Sequence, residues 1–136
     1  FRAYAHAIVE NAQALAGALQ ADGFTIVSGG TDNHVFVLDM RPQGITGKEA
    51  DARLGRAHIT VSKSTVPGDP EKPWVTSGVR VGTPALTTRG FTPDDMRAVA
   101  QLMTRALAVP SDAPEAEVEP VRADVAHLAR RFPLPR

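Results

Sequence analysis

The 136-residue sequence has no cysteine, which removes disulfide bridges, thiolate nucleophiles and cysteine-based metal sites together. It also has no excess of either charge. Fifteen lysines and arginines balance fifteen aspartates and glutamates, leaving no electrostatic footprint for nucleic acid or an anionic membrane surface. No apolar run approaches the ~20 residues that a membrane-spanning helix needs. The first residues carry no signal-peptide pattern, and a cytoplasmic location is the expectation. The phosphate-cradling patterns G-x-x-x-x-G-K-[ST] and G-x-G-x-x-G are missing, as is the G-x-S-x-G turn that presents a serine nucleophile. Lysine is scarce, with only Lys48, Lys63 and Lys72. What remains is an ordinary globular composition, long enough for one domain with a real core.

Helix and strand patterns alternate along the chain. Ala5, Ile8, Val9, Ala12, Leu15, Ala16 and Leu19 share one helical face, and Gly23 follows as a stop. No capping residue precedes that run, so the sequence is expected to begin inside a helix and to be a piece of a longer chain. FTIV (24–27), HVFVLDM (34–40) and HITVS (58–62) read as strands, the second buried. SGGTDN (28–33) is a turn cluster. Thr46 and Glu49 form a T-x-x-E capping box for a short helix through Leu54. A proline-rich loop with Pro67, Pro70 and Pro73 ends at Trp74, and VTSGVRVGT (75–83) is a broken extended segment. Thr92 caps a helix that opens with Pro93, Asp94 and Asp95 and buries Met96, Val99, Ala100, Met103 and Leu107. Residues 110–120 read as a linker or a frayed helix start, and from Pro120 a last helix presents Val121, Val125, Leu128 and Phe132. These elements predict a two-layer α+β domain.

Most candidate chemistry has a structural explanation. Asp32 and His34 lie two residues apart, but turn chemistry after Gly29-Gly30 accounts for Asp32 and Asn33. His58 opens a predicted strand, where a local hydrogen bond explains it. His6 and His127 have no acidic or histidine partner at metal spacing, and no metal site is expected. Lys48 reads as solvated, and Lys63 as surface. Arg80 stands apart. It lies between Val79 and Val81, with Gly78 and Gly82 outside them. Its rigid fork matches a carboxylate with two parallel hydrogen bonds, and the glycines allow close approach of backbone or ligand. The residues leave a second reading open, a structural ion pair with Asp39 or another acid.

SGGTDNHVFVLDM, TGKEADARLGRAHITVSKSTVPGDP and PWVTSGVRVGTPALTTRG, in that order, resemble the C-terminal domain of serine hydroxymethyltransferase. The resemblance runs over essentially the whole chain, residues 1–136. It implies a fold-type I pyridoxal-phosphate enzyme that interconverts serine and glycine and passes the one-carbon unit to tetrahydrofolate. It further implies a small, mainly antiparallel sheet packed against helices, and a homodimer or homotetramer with the active site at a subunit interface. The T-S-G-x-R-x-G-T-P-A pattern makes Arg80 the residue that holds the substrate carboxylate. Clamping that group orients the substrate on the cofactor and contributes positioning, not proton transfer.

Two departures from the family pattern carry expectations. The histidine–lysine motif that attaches the cofactor is absent, as are the histidine and aspartate that hold the cofactor ring. The chain alone is therefore expected to contain no catalytic or cofactor-binding residue and to be inactive. Many members also carry asparagine, a folate contact, where Ser64 stands, and an aromatic, often phenylalanine, where Trp74 stands. Ser64 offers fewer hydrogen-bonding groups than asparagine, and Trp74 is expected to keep the pocket wall. The alternatives are the small domain of another pyridoxal-phosphate enzyme, such as an aminotransferase or aldolase, and a standalone small-molecule-binding module. The TDNH and T-S-G-x-R blocks argue against the first, and the truncated first helix argues against the second.

Overall fold

The computed structural model describes residues 2–27, 35–82 and 90–131. Among them are four α-helices: α1 (Arg2–Ala21), α2 (Gly47–Arg56), α3 (Pro93–Leu107) and α4 (Glu115–Arg130). Four strands, β1 (Thr25–Ile26), β2 (Val35–Asp39), β3 (Ser62–Ser64) and β4 (Gly78–Gly82), form one sheet in the order β1-β2-β4-β3. Every pairing is antiparallel. This is the expected two-layer α+β arrangement, with helices on one face of the sheet.

The core lies between the layers. Phe36 and Leu38 of β2 are register partners of Val81 and Val79 of β4, and all four are buried. Helix α3 packs along α1 and brings Met96, Ala100 and Met103 against Ala12, Leu15 and Leu19. Helix α1 is buried only from Asn11 onward. Ala5, expected on the buried face, is exposed, and Ile8 and Val9 are half-buried.

Several boundaries differ from the sequence reading. The third strand is Ser62–Ser64, not 58–62. After α2, the N–H groups of Ala57 and His58 fold back onto Leu54 and Gly55, and His58 takes the left-handed conformation at φ 64. Residues 59–61 belong to no strand, and the ladder with β4 begins only at Ser62. The last helix begins at Glu115, not at Pro120. Pro114 takes the N-cap position, Glu115 and Glu117 occupy the first turn, and Pro120 sits inside, costing one helical hydrogen bond. At α2, Thr46 Oγ1 accepts from the Glu49 N–H, but the Glu49 side chain turns elsewhere, so only half of the expected box forms. The reciprocal box is at α3, where Thr92 and Asp95 cap each other. His6, read as lacking an acidic partner, meets Glu10 at 2.5 Å one helical turn on. The 28–33 turn, Asp32, His34 and Phe132 lie outside the described residues.

The connection between α3 and α4 is fastened to α2. Ser111 donates its N–H and its hydroxyl to Glu49, at 3.0 and 2.6 Å. Arg53 binds Glu49 and the carbonyl of Leu107, and Arg56 donates to the carbonyls of Pro110 and Ser111. Burial raises the cost of charging Glu49, but the Ser111 and Arg53 hydrogen bonds outweigh it and hold the carboxyl down at about 2.

Candidate functional site

Arg80 is the middle residue of β4, a central strand. Side chains alternate along a strand. Val79 and Val81 therefore enter the core while Arg80 emerges on the other face, exposed, between its register partners Val37 and Ser62. The helices do not cover this face around Arg80. A cleft of about 430 Å³ opens there, lined by Val35, Thr60, Val61, Ser62, Arg80 and Gly82.

Asp39 does not neutralise Arg80. The Asp39 carboxylate is taken by Arg41, with Nε at 3.0 and 3.1 Å from its two oxygens and Nη2 at 2.7 Å. The Arg41 side-chain hydrogen bond draws the Asp39 carboxyl below its ordinary range. Among the described residues, the Arg80 guanidinium has no hydrogen-bond or ion-pair partner. The ion-pair reading with Asp39 is thus not realised.

The segment leading into β4 is fixed by contacts that local sequence patterns do not announce. Thr76, 2% exposed, adopts φ 60, a region that β-branched residues rarely enter. It is held there by three bonds. Its N–H donates to the Lys72 carbonyl, its Oγ1 to the Gly78 carbonyl at 3.0 Å, and its own carbonyl accepts from the Gly47 N–H at 3.0 Å. The Val75 carbonyl accepts from the Lys48 N–H. Two of the free donors at the start of α2 are thereby satisfied by the segment that precedes Arg80. The next residue, Ser77, is bound by Asp69. Its hydroxyl donates to Asp69 Oδ1 at 2.7 Å and its N–H to Oδ2 at 2.9 Å. Asp69 also accepts from the N–H groups of Val66 and Glu71. Burial pushes the Asp69 carboxyl up, but these four donors prevail and hold it at about 2.

Ser64 ends β3 opposite Gly78, so the register puts it on the face from which Arg80 emerges. It is half-buried, and its hydroxyl donates to the Thr65 carbonyl at 3.3 Å. Trp74 is 62% exposed in the turn before β4. Its carbonyl accepts from Lys63 Nζ at 3.0 Å, and its ring carries Lys72 Nζ at 5.3 Å from the centroid. Arg80 and Ser64 thus share a sheet face, whereas the described contacts of the Trp74 ring are with Lys72.

The lysines do not form an aldehyde-cofactor site. Lys48 is exposed on α2, Lys63 is engaged with the Trp74 carbonyl, and Lys72 lies over an exposed ring. Among the described residues, no lysine lines a cleft that could take pyridoxal phosphate. Among the described residues, no cluster of histidines and carboxylates is arranged to hold a metal ion, and no helix is long and apolar enough to cross a membrane. The T-P-A-L-T-T-R portion of the arginine motif, 83–89, lies outside the described residues.

The family model described as serine hydroxymethyltransferase matches residues 1–103. The chain is 54% identical, over all of its 136 residues, to the serine hydroxymethyltransferase of Leptothrix cholodnii, and covers 32% of that protein. It is 52% identical to those of Variovorax paradoxus, over 136 residues, and Verminephrobacter eiseniae, over 134, again covering 32% of each. The chain therefore spans about a third of the length of the curated relatives it matches. A family match over residues 1–103, and over half-identical relatives aligned end to end with the strand that carries Arg80, leave one conclusion: this chain belongs to the serine hydroxymethyltransferase family.

Proposed function

We propose that this chain is the C-terminal domain of a serine hydroxymethyltransferase and supplies the carboxylate-binding end of its active site, with Arg80 as the residue that takes the serine or glycine carboxylate. One observation carries this reading. A permanently charged fork stands on the uncovered face of a central strand, facing a cleft, without an acidic partner among the described residues. A guanidinium there has its donors available for the two oxygens of a carboxylate. The apolar flank of Val35 and Val61 lowers the local dielectric and strengthens that bond.

The division of labour follows. Arg80 binds and orients, which accelerates a reaction by fixing geometry and requires no proton transfer at that residue. Pyridoxal phosphate supplies the electron sink when bound. Its anchoring residues fall to the part of the relatives' length that this chain does not span. Tetrahydrofolate is the one-carbon acceptor, with Ser64 as a hydrogen-bonding contact and Trp74 as an apolar wall. A cytoplasmic homodimer or homotetramer completes the proposal.

The test is serine binding to the full-length protein. Arg80→Lys replaces the planar fork by a point charge and is expected to weaken serine binding by roughly 1.5–3 kcal/mol, the worth of a hydrogen bond to a charged group. Unchanged affinity in a calorimetric titration refutes the assignment.

A further inference from the structure

The two departures from ordinary backbone and loop chemistry near Arg80 occur side by side. Asp69 gathers four donors, and the left-handed Thr76 precedes the residue that receives two of those bonds. Asp69 reaches from the proline loop to Ser77, three residues before Arg80 in the same extended segment. Ser77 in turn offers its carbonyl to the Met40 N–H at 2.8 Å, continuing the β2–β4 ladder by one step. The Asp69 carboxylate therefore determines where the first paired residues of β4 sit, and the strand transmits that placement to Arg80.

We propose that Asp69, acting through Ser77 and the strained Thr76, is a positioning residue that sets the aim of Arg80 at the substrate carboxylate. This rests on the reading that Arg80 binds that carboxylate. Thr76 on its own costs about 1–3 kcal/mol of backbone strain, which persists only where the surroundings over-determine it. Here they do so on three sides: the Lys72 carbonyl, the Gly47 N–H and the Gly78 carbonyl. Holding a five-residue strand that is already paired on both sides does not require an entry fixed to this degree. Directing one rigid fork within a fraction of an ångström does require it.

Asp69→Asn in the full-length protein tests the proposal. The amide keeps one acceptor oxygen. An NH2 in place of Oδ2 faces the Val66 and Ser77 N–H groups, and one in place of Oδ1 faces the Glu71 N–H while the Ser77 hydroxyl turns to accept, so either orientation sets a donor against a backbone donor. Serine affinity is expected to fall roughly tenfold, in line with the rate and binding losses that follow ångström-scale misplacement. Ethanolamine, which keeps serine's amine and hydroxyl but has no carboxylate, is measured by competition and should move less than about twofold. Combining Asp69→Asn with Arg80→Lys should cost little beyond Arg80→Lys alone, because the residue being aimed is already blunted. A role confined to folding would weaken serine and ethanolamine together and add its loss in the double variant, and either result overturns the proposal. Arg80→Lys by itself separates the two readings. Unchanged serine affinity there removes the carboxylate assignment. A loss there with none in Asp69→Asn removes only the positioning role. If Asp69→Asn does not fold, Ser77→Ala, which deletes the hydroxyl arm alone, decides by the same comparison with an expected loss of about threefold in serine affinity.

Discussion

Replacing Gly47 by alanine sets two effects against each other. Alanine in a helix is ordinarily preferred to glycine by about 1 kcal/mol, and Gly47 is the first residue of α2. A Cβ there, however, would stand 2.1 Å from Thr76 Oγ1 and 2.3 Å from the Gly78 carbonyl oxygen. Ordinary non-bonded contact needs roughly another 1 Å or more. The Thr76 side chain is buried and committed to Gly78, and the Gly78 carbonyl belongs to β4, so neither yields cheaply. Overpacking of this kind costs about 1–3 kcal/mol. Separating α2 from β4 also loosens the Gly47 and Lys48 N–H bonds. The helix-propensity gain is small at a first-turn position, so the clash wins. The expected net destabilisation is about 2 kcal/mol, or a Tm lower by roughly 5–10 °C for a domain of this size. Gly17, exposed in α1 with nothing within 4 Å of an added Cβ, is the control. Gly17→Ala should stabilise by about 0.5–1 kcal/mol. Urea denaturation followed by far-ultraviolet circular dichroism reads both. If Gly47→Ala matches or exceeds the parent in stability, the close packing of α2 on the Arg80 strand is not as described.

Three further outcomes are expected. The Glu49 carboxyl titrates near 2 in the folded protein instead of its ordinary 4.5, so its contribution to stability is complete above about pH 4.5 and fades as pH falls toward 2; Glu49→Gln should flatten the urea midpoint across that window, and an unaltered pH slope would refute the Ser111 and Arg53 network. Trp74, the sole tryptophan and 62% exposed, should be quenched by acrylamide almost as readily in the native chain as in urea, and marked native protection would show that the turn packs differently. Ser64→Asn in the full-length protein should tighten tetrahydrofolate binding, measured with glycine present, by at most about 1 kcal/mol, the net worth of one hydrogen bond; serine affinity should not change, and a fall in both affinities would remove Ser64 from the folate site.

The fold was legible where the signal is local. The 3.6-residue stripes of α1 and α3 and the Thr92 cap needed no tertiary information. The strand at 58–62 was misplaced because a strand's extent is decided by its pairing, and the ladder with β4 holds only Ser62–Ser64, ending opposite Arg80 although β4 runs on to Gly82. Pro120 suggested a first helical position, yet the helix starts at Glu115 and runs through it, with Val118 buried in the added turn. Thr76 gave no warning, because a β-branched residue is a poor candidate for positive φ. Asp69 sits in a G-D-P sequence that any turn would explain, and its partner Ser77 becomes adjacent only after the loop closes.

The candidate site shows the same division, most clearly in the glycine beside Arg80. Val79-Arg80-Val81 announces a charged residue projecting from a strand whose neighbours are buried, and the fold places it so. Gly78 invited the reading that glycine allows close approach of backbone or ligand, and here it is the backbone that approaches. A Cβ at Gly78 would lie 2.9 Å from the carbonyl oxygens of both Leu38 and Ser64 and 2.9 Å from Val66 Cγ1. The space is already filled by the chain itself. Two flanking strands and the proline loop converge on that point, and only a residue without a side chain lets them meet. The glycine allows β2, β3 and the loop held by Asp69 to close around the base of the strand from which Arg80 projects.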